Sequence, residues 1–294
     1  MGVLNGYVLF YERRIHLTDR ELAERFQLSS EERDIFLQYI KNKYTKKKTP
    51  EPNEALLRTW RSYLAADIPP ADLLNHFILQ KYPMVFRQPK EISIEIYPSF
   101  AGEIPVITFG SDTDFERFVI NAVHCGIWTD SVKKQGASFI FSRKNRYIAL
   151  SRKPYSGVSA QRMSLEESTW REQSMQIRRQ HECAHYYTLR NYGLARNNLH
   201  DELMGDFSGI YAVLGRFDAK WFRRFMGIGE QESGRLSLYT VNLPDTVVRA
   251  IAKTAELCAY TLETWSLSES CAALSPTERI DRLCSLGISG MADG

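Results

Sequence analysis

The sequence predicts a predominantly helical α+β fold with one small sheet. Apolar residues recur at helical spacings over most of the chain. Between residues 92 and 150 the pattern changes to the period of two that strands require. The chain has 294 residues, of which 44% are apolar, so it is long enough to bury a sizeable core.

The composition excludes several classes of protein. The 38 basic and 35 acidic side chains give a net charge of +3, which predicts no general attraction to nucleic acid or anionic lipid. No apolar run reaches the roughly 20 residues that span a bilayer, and residues 1–11 lack the features of a signal peptide. The five cysteines are widely separated and form no C-x-x-C pair, which predicts reduced thiols. We therefore expect a soluble, cytoplasmic protein without a membrane partner.

Residues 1–88 are predicted to form an N-terminal helical region. Two helical stretches fill residues 18–48 and divide at Ser29 and Ser30, and the lysine-rich segment 41–52 follows as an exposed linker. A further helical pair is expected over residues 53–79, with a break at Pro69 and Pro70.

The first helical pair has the spacing of a helix-turn-helix. Ala23 occupies the position in the first helix where a helix-turn-helix needs a small residue. Gln27, however, stands where the usual turn glycine would be. Its second helix opens with acidic residues (Glu31, Glu32 and Asp34), which DNA phosphates would repel. These observations favour a plain helical pair and disfavour nucleic acid as a partner.

Residues 89–294 are predicted to form the second unit. Strands are expected at 92–97 and 104–109, a helix at 114–125, and a hairpin from 137–142 and 147–150. Ser164 and Glu167 have the spacing of a capping box, which predicts a long helix from there to Gly193. Further helices are expected at 199–214, 219–225, 247–262 and 275–287, the later ones as core packing.

The long helix carries the pattern H-E-x-x-H, formed by His181, Glu182 and His185. Residues four apart on a helix differ by about 40° in direction, so both imidazoles can reach one metal ion. Glu182 lies beside them, where it can contact a water bound to that metal. The arrangement predicts a metal site with a neighbouring carboxylate.

The next helix carries Glu202 and Asp206, four residues apart and on one stripe. Residues 186–201 allow the first helix to end at Gly193 and the chain to return antiparallel, facing the histidines. Gly205 lies between the two carboxylates and would allow the helices to approach closely.

H-E-x-x-H followed by E-x-x-x-D resembles the gluzincin class of zinc metallopeptidases. The form Glu202-x-x-Gly205-Asp206-Phe207 is also similar to the pattern of the ImmA/IrrE-type regulatory zincins. The resemblance covers about residues 90–215, in which a small sheet, the H-E-x-x-H helix and the glutamate helix follow in the order of the minimal zincin core.

This resemblance implies a role for each motif residue. His181, His185 and Glu202 would bind one Zn²⁺ per chain and leave an open position for water. Glu182 would take a proton from the zinc-bound water and pass it to the leaving amine. Asp206 would accept a hydrogen bond from a ligand histidine and fix its tautomer. The implied function is a zinc-dependent hydrolase, foremost a metallopeptidase acting on a protein or peptide.

The third ligand has rivals in His200, Asp201 and Asp206. On a helical wheel His200 points about 200° and Asp201 about 100° away from Glu202, so the stripe favours Glu202. The residue that stabilises an oxyanion stays open, because tyrosines at positions 186, 187, 192 and 211 are all near the motif.

Two other interpretations compete with the hydrolase. The histidines and carboxylates could be an ordinary solvated helix surface. Alternatively, a non-catalytic zincin-like protein could bind a protein or DNA partner through its N-terminal helices. Glu182 favours the enzyme, since a purely binding fold does not need that general base. A free edge of the sheet could then hold an extended peptide by strand addition.

Overall fold

The computed structural model describes residues 17–129, 131–142, 145–196, 198–229 and 234–293. It confirms the predominantly helical α+β class. The strands are β1 (Ile92–Ser99), β2 (Gly102–Phe109), β3 (Ala137–Phe141) and β4 (Arg146–Leu150). The helices are α1 (Asp19–Glu24), α2 (Ser30–Ile40), α3 (Glu54–Ala65), α4 (Pro70–Phe77), α5 (Asp112–Val123), α6 (Ser131–Lys134), α7 (Ala160–Met163), α8 (Glu167–Tyr192), α9 (Leu199–Leu214), α10 (Ala219–Met226), α11 (Leu236–Tyr239), α12 (Asp245–Ser266), α13 (Glu269–Ala272) and α14 (Pro276–Met291).

The four strands form one sheet in the order β1-β2-β4-β3. β1 and β2 are an antiparallel pair, and β3 and β4 form the predicted hairpin, with Ala137 opposite Leu150. β2 and β4 run parallel, with Val106 opposite Ile148, and α5, α6 and β3 lie between them in the chain. β3 is therefore an edge strand.

Both faces of the two central strands are buried, which explains their nearly continuous apolar sequences. Val106 and Ile148 belong to the larger core, together with apolar residues of α8, α9, α12 and α14. Ile107 and Ala149, one residue further on, point into a second core with α4 and α5. The sheet thus separates two layers of helices. α8, which carries the H-E-x-x-H motif, belongs to the layer of the larger core.

α8 and α9 form a tight antiparallel helical hairpin. α8 ends where Gly193 adopts a left-handed conformation (φ 72°), as the sequence predicts. Further along α9, a Cβ atom placed on Gly209 would lie 2.6 Å from the carbonyl oxygen of Ile177 on α8. The two backbones are in close contact because this side chain is missing.

Two predicted helix boundaries are wrong. Ser164 does not cap α8: it adopts a left-handed conformation (φ 59°) and ends the short helix α7. α8 begins after Glu166, without a capping side chain, because the turn at Ser164 directs the chain away first. The last helix does not stop at Gly287, which instead forms a kink (φ 66°) within α14.

The first two helices pack onto the larger core. Leu22 on α1 and Phe36 and Ile40 on α2 are buried there, and α2 lies against α12. The lysine-rich segment follows the surface and is mostly exposed, with the Lys47 amide donating to the carbonyl of Asn191 at the end of α8. α3 and α4 lie against β2 and β1. The division of the chain at residues 88 and 89 stays a prediction.

The cysteines of the chain are all free thiols, as expected. Within the described ranges, no helix combines the length and the apolar character that crossing a bilayer requires. The segment assessed for a signal peptide, residues 1–11, lies outside the described residues.

Candidate metal centre

His181 and His185 on α8 meet Glu202 on α9. Their ligand atoms all lie within 4.8 Å of one another. The two Nε2 atoms are 3.0 Å apart, His181 Nε2 is 3.5 Å from Glu202 Oε2, and His185 Nε2 is 3.9 Å from Glu202 Oε1. The hairpin thus brings together the three residues expected to bind metal.

The cluster is compact enough to hold a single metal ion. In tetrahedral sites with bonds of about 2.0–2.1 Å, neighbouring ligand atoms are about 3.3 Å apart. The two Nε2 atoms (3.0 Å) and the contact of each with one of the two Glu202 oxygens (3.5 and 3.9 Å) lie near that value, and one ligand atom from each residue gives separations of up to 4.8 Å. Two imidazoles and one carboxylate are also a ligand set that zinc commonly has in catalytic sites.

The charges around the cluster favour a cation. The carboxylates of Glu182, Glu202 and Asp206 are buried here, and the guanidinium groups of Arg178 and Arg235 face them. The carboxylates next to the two imidazoles provide negative charge in a site largely shielded from water. A metal ion that displaces the proton of His181 would take the place of that positive charge.

Asp206 and Tyr155 contact the second ring nitrogen of His181. Asp206 Oδ1 lies 3.1 Å from His181 Nδ1, and the Tyr155 hydroxyl lies 2.8 Å from the same nitrogen. Burial alone would raise the pKa of Asp206, but Arg235 and His181 lower it to about 2. Asp206 is therefore an ionised acceptor, and a proton on Nδ1 leaves the Nε2 lone pair for a metal.

Burial keeps His185 uncharged. Its side chain is 12% exposed, and burial together with the charges of His181 and Arg235 places its pKa well below the ordinary value. Burial also disfavours the charged form of His181, but Glu202 and Asp206 outweigh it and raise that pKa. A neutral His185 can donate its lone pair directly, whereas metal binding at His181 would release a proton.

Glu182 is buried next to the cluster and has no hydrogen-bond partner among the described residues. Burial raises its pKa and the charge of Glu202 adds to this rise, while His181 and Arg178 oppose it. A carboxylate with a raised pKa is a stronger proton acceptor than an ordinary exposed carboxylate.

A cavity of about 550 Å³ connects these groups. His181, Glu182, His185 and Glu202 lie in one wall, and residues 136–139 with Phe141, at and before the edge strand β3, lie in another. The cavity is large enough for a segment of peptide or a ligand of similar size.

Besides Arg178 on α8, three residues of the site were not found from the sequence. Arg235 donates to Glu202 Oε2 (3.1 Å) and to Asp206 Oδ2 (2.5 Å), and Tyr239 is hydrogen-bonded to Glu202. Tyr155 is the third, through its contacts with His181 and Asp206. They come from segments distant in sequence, and nothing in their spacing distinguishes them from other arginines and tyrosines.

Four residues on one stripe of α8 hold this arrangement together. Ser174 accepts a hydrogen bond from the Tyr155 amide (3.1 Å). Arg178 donates to two carbonyls of the loop after β4, at residues 151 and 153 (2.9 and 2.8 Å). His181 and His185 follow at the same helical spacing. The helix that carries the candidate ligands therefore also anchors the loop that places Tyr155.

The rival ligands have other partners. His200 Nε2 lies 3.1 Å from the carbonyl oxygen of Leu283, and Asp201 accepts from the hydroxyl of Tyr44 and from the Arg196 amide. Neither belongs to the cluster. Asp206 contacts the opposite ring nitrogen of a ligand rather than the ligand triangle.

The tyrosines considered as oxyanion stabilisers do not line the cavity. Those at positions 186, 187, 192 and 211 are absent from its walls, and Tyr187 and Tyr192 both donate to the carboxylate of Asp281. Tyr155 and Tyr239 line it instead.

Gly205 allows α9 to approach the His181 ring. A Cβ atom there would lie 2.5 Å from Cε1 and Nδ1 of His181. We expect Gly205→Ala to displace the ring from Asp206 and to weaken any metal binding at the cluster by about 10–100-fold, as changes to ligand-orienting contacts do. Competition with a chromogenic chelator measures this affinity. Ala212→Ser, at an exposed position of the same helix, is the control. Equal affinities in the two variants would contradict the role of Gly205.

Fold and site together define a helical α+β protein in which two antiparallel helices carry a buried His–His–Glu cluster beside a small sheet. A family model described as "Family of unknown function (DUF7005)" matches residues 141–293, just over half of the chain. The chain belongs to this family. It has no significant match among curated proteins or solved structures. The matched part contains every residue of the cluster and its polar surroundings.

Proposed function

We propose that this protein is a zinc-dependent hydrolase, and specifically a metallopeptidase. The observation that carries the proposal is the convergence of His181, His185 and Glu202 beside the buried carboxylate of Glu182, all in the wall of one cavity. The resemblance of the motif to the gluzincins supports the same reaction.

Each residue has a role in this proposal. His181, His185 and Glu202 would hold a zinc ion, which when bound polarises a carbonyl group and lowers the pKa of water. Glu182 accepts the proton of the attacking water and delivers it to the leaving amine. Asp206 keeps the His181 ring in the tautomer and orientation that its Nε2 atom requires.

Tyr239 and Arg235 line the cavity beside Glu202. Burial and the neighbouring Glu202 raise the pKa of Tyr239 well above its ordinary value, so its hydroxyl stays protonated, but this proton is already donated to Glu202. Burial opposes the charge of Arg235, but Asp206 outweighs it and the guanidinium stays charged. The Nε–H group of Arg235 has no partner among the described residues. We assign the stabilisation of an oxyanion to Arg235, because a donor fixed in a water-poor site stabilises such charge strongly.

The edge strand supports a peptide substrate. The hydrogen bonds from Ser151 to Gly136 and from Ser142 to Asn145 fix the pairing of β3 with β4. Backbone groups of 137, 139 and 141 therefore face the other way, and no strand of the described residues pairs with them. A peptide can add there as a further strand and place a bond at the cavity. We also propose a cytoplasmic location, since the free thiols suit a reducing compartment.

The first test is metal content and its removal. We expect about one zinc per chain by elemental analysis. A chelator should abolish hydrolysis of a peptide library and lower the melting temperature, because the metal binds the native state, and added Zn²⁺ should restore both. If no transition metal binds after reconstitution, the cluster is a polar helix interface and the proposal fails. If zinc binds but no peptide or ester is cleaved, the site is a metal site without hydrolase activity.

A further inference from the structure

Half of the exposed large apolar side chains of the described residues lie in two neighbouring loops or at the end of α5, where the second loop begins. Ten such side chains are at least 38% exposed, and the largest exposure is at Val85 (82%). Five of the ten come from residues 82–85 and 123–128 and define what we name the loop patch. Its members are Tyr82, Val85, Val123, Ile127 and Trp128.

The two loops form one continuous surface. Asn121 donates to the carbonyl of Tyr82 (3.0 Å), and Arg117 donates to the carbonyl of Val85 (3.1 Å). The Tyr82 ring lies against Gly126, where a Cβ atom would be 3.3 Å from it and where φ is +81°. These hydrogen bonds and this close approach hold the two segments together. Their apolar side chains therefore form one patch and are not isolated surface residues.

The chain segments that carry the loop patch are basic. Segments 79–87 and 117–134 contain five basic residues and one acidic residue, a net charge of +4, whereas the whole chain has only +3. The five are Lys81, Arg87, Arg117, Lys133 and Lys134. The Lys133 ammonium group lies over the Trp128 ring, 5.6 Å from its centre. Positive charge around apolar side chains complements a surface that is acidic as well as apolar.

We propose that the loop patch binds a segment of a partner protein that carries acidic and bulky apolar side chains. Two such patches facing each other would repel, which disfavours a second copy of this chain. Tyr82, Val123 and Trp128 are exposed by 38%, 44% and 49%, so the protein itself covers more than half of each side chain. Such side chains suit contact with a protein surface better than insertion into lipid.

The patch adjoins the candidate active site. His124, in the middle of the second loop, and Lys134 both line the cavity that contains the metal cluster. A segment bound to the patch would lie beside the mouth of this cavity. The binding goes beyond the proposed hydrolase and does not depend on it, because it can be measured without any turnover.

The test is fluorescence anisotropy on the full chain. The probes are a labelled peptide that alternates Glu with Leu and Phe, and a matched peptide with Lys in place of Glu. We expect the acidic peptide alone to bind, and its binding to weaken as salt increases. The double variant Ile127→Ser, Trp128→Ser should bind about tenfold more weakly or worse, as loss of an aromatic anchor does. Leu267→Ser is the control, because Leu267 is 65% exposed in a loop far along the chain.

Several results would overturn the proposal. The acidic peptide could fail to bind the wild type, the lysine peptide could bind equally well, or the double variant could bind as the wild type does. Sedimentation with vesicles of phosphatidylcholine and phosphatidylserine tests the lipid alternative, and binding that the double variant loses would assign the patch to membranes. A molar mass that rises with concentration only in the wild type would assign it to self-association. Circular dichroism shows whether each variant is folded.

Discussion

Replacing Glu182 with glutamine is expected to reduce peptide hydrolysis by about 10²–10⁴-fold, the usual contribution of a positioned general base. The amide keeps the size of the side chain but cannot take a proton from water. Zinc content should stay unchanged, because Glu182 is not one of the three clustered ligands. The rate constant kcat and elemental analysis measure the two quantities on the same preparation.

Glu172→Gln is the matched control, since this residue is exposed on the same helix and lies outside the cavity. It should retain full activity. If Glu182→Gln also retained wild-type activity with zinc bound, the assigned mechanism would be wrong. If it lost the metal instead, Glu182 would have to be regarded as a ligand.

His185→Ala is expected to remove the metal. Only His181 and Glu202 would remain, and the lost imidazole is the one that burial keeps neutral and ready to bind. The loss of zinc affinity should exceed the roughly 10–100-fold typical of contacts that only orient a ligand. Elemental analysis should then give almost no zinc, and hydrolysis should disappear with it.

His76→Ala tests whether any histidine would have this effect, because His76 is exposed on α4 and remote from the cluster. It should bind zinc normally. The far-ultraviolet circular dichroism of both variants should match the wild type. Full zinc content in a folded His185→Ala variant would exclude His185 as a ligand and would place the metal elsewhere.

The α8–α9 hairpin could be predicted because its determinants are local. Helical periodicity defines both helices, Gly193 supplies the left-handed end of the first, and the four-residue spacing of His181 and His185 fixes their common face. Helical geometry also separated the direction of His200 from the stripe of Glu202 and Asp206, which favoured Glu202 as the third candidate ligand. Each of these inferences needs only neighbouring residues and the known geometry of a helix.

The remaining features depend on contacts between distant segments. Arg235 reaches Glu202 and Asp206 from about thirty residues further along the chain, and no spacing rule applies over that distance. The parallel pairing of β2 with β4 likewise joins residues far apart in the chain, such as Val106 and Ile148. Ser164 shows that a local pattern can also mislead. Its spacing to Glu167 predicted a helix N-cap, but Ser164 ends α7 in a left-handed conformation.

Ser174, Arg178, His181 and His185 lie on one stripe of α8. The register of this helix therefore sets the position of the Tyr155 loop relative to the two imidazoles. Inserting or deleting one residue between Arg178 and His181 would rotate the two halves of the helix by about 100° relative to each other. The loop that carries Tyr155 would then be fastened on one side of the helix and the imidazoles would face another. We therefore expect insertions and deletions to preserve the site when they fall in the surface connections. They should disrupt it in the middle of α8, where one helical register both anchors the Tyr155 loop and orients the imidazoles.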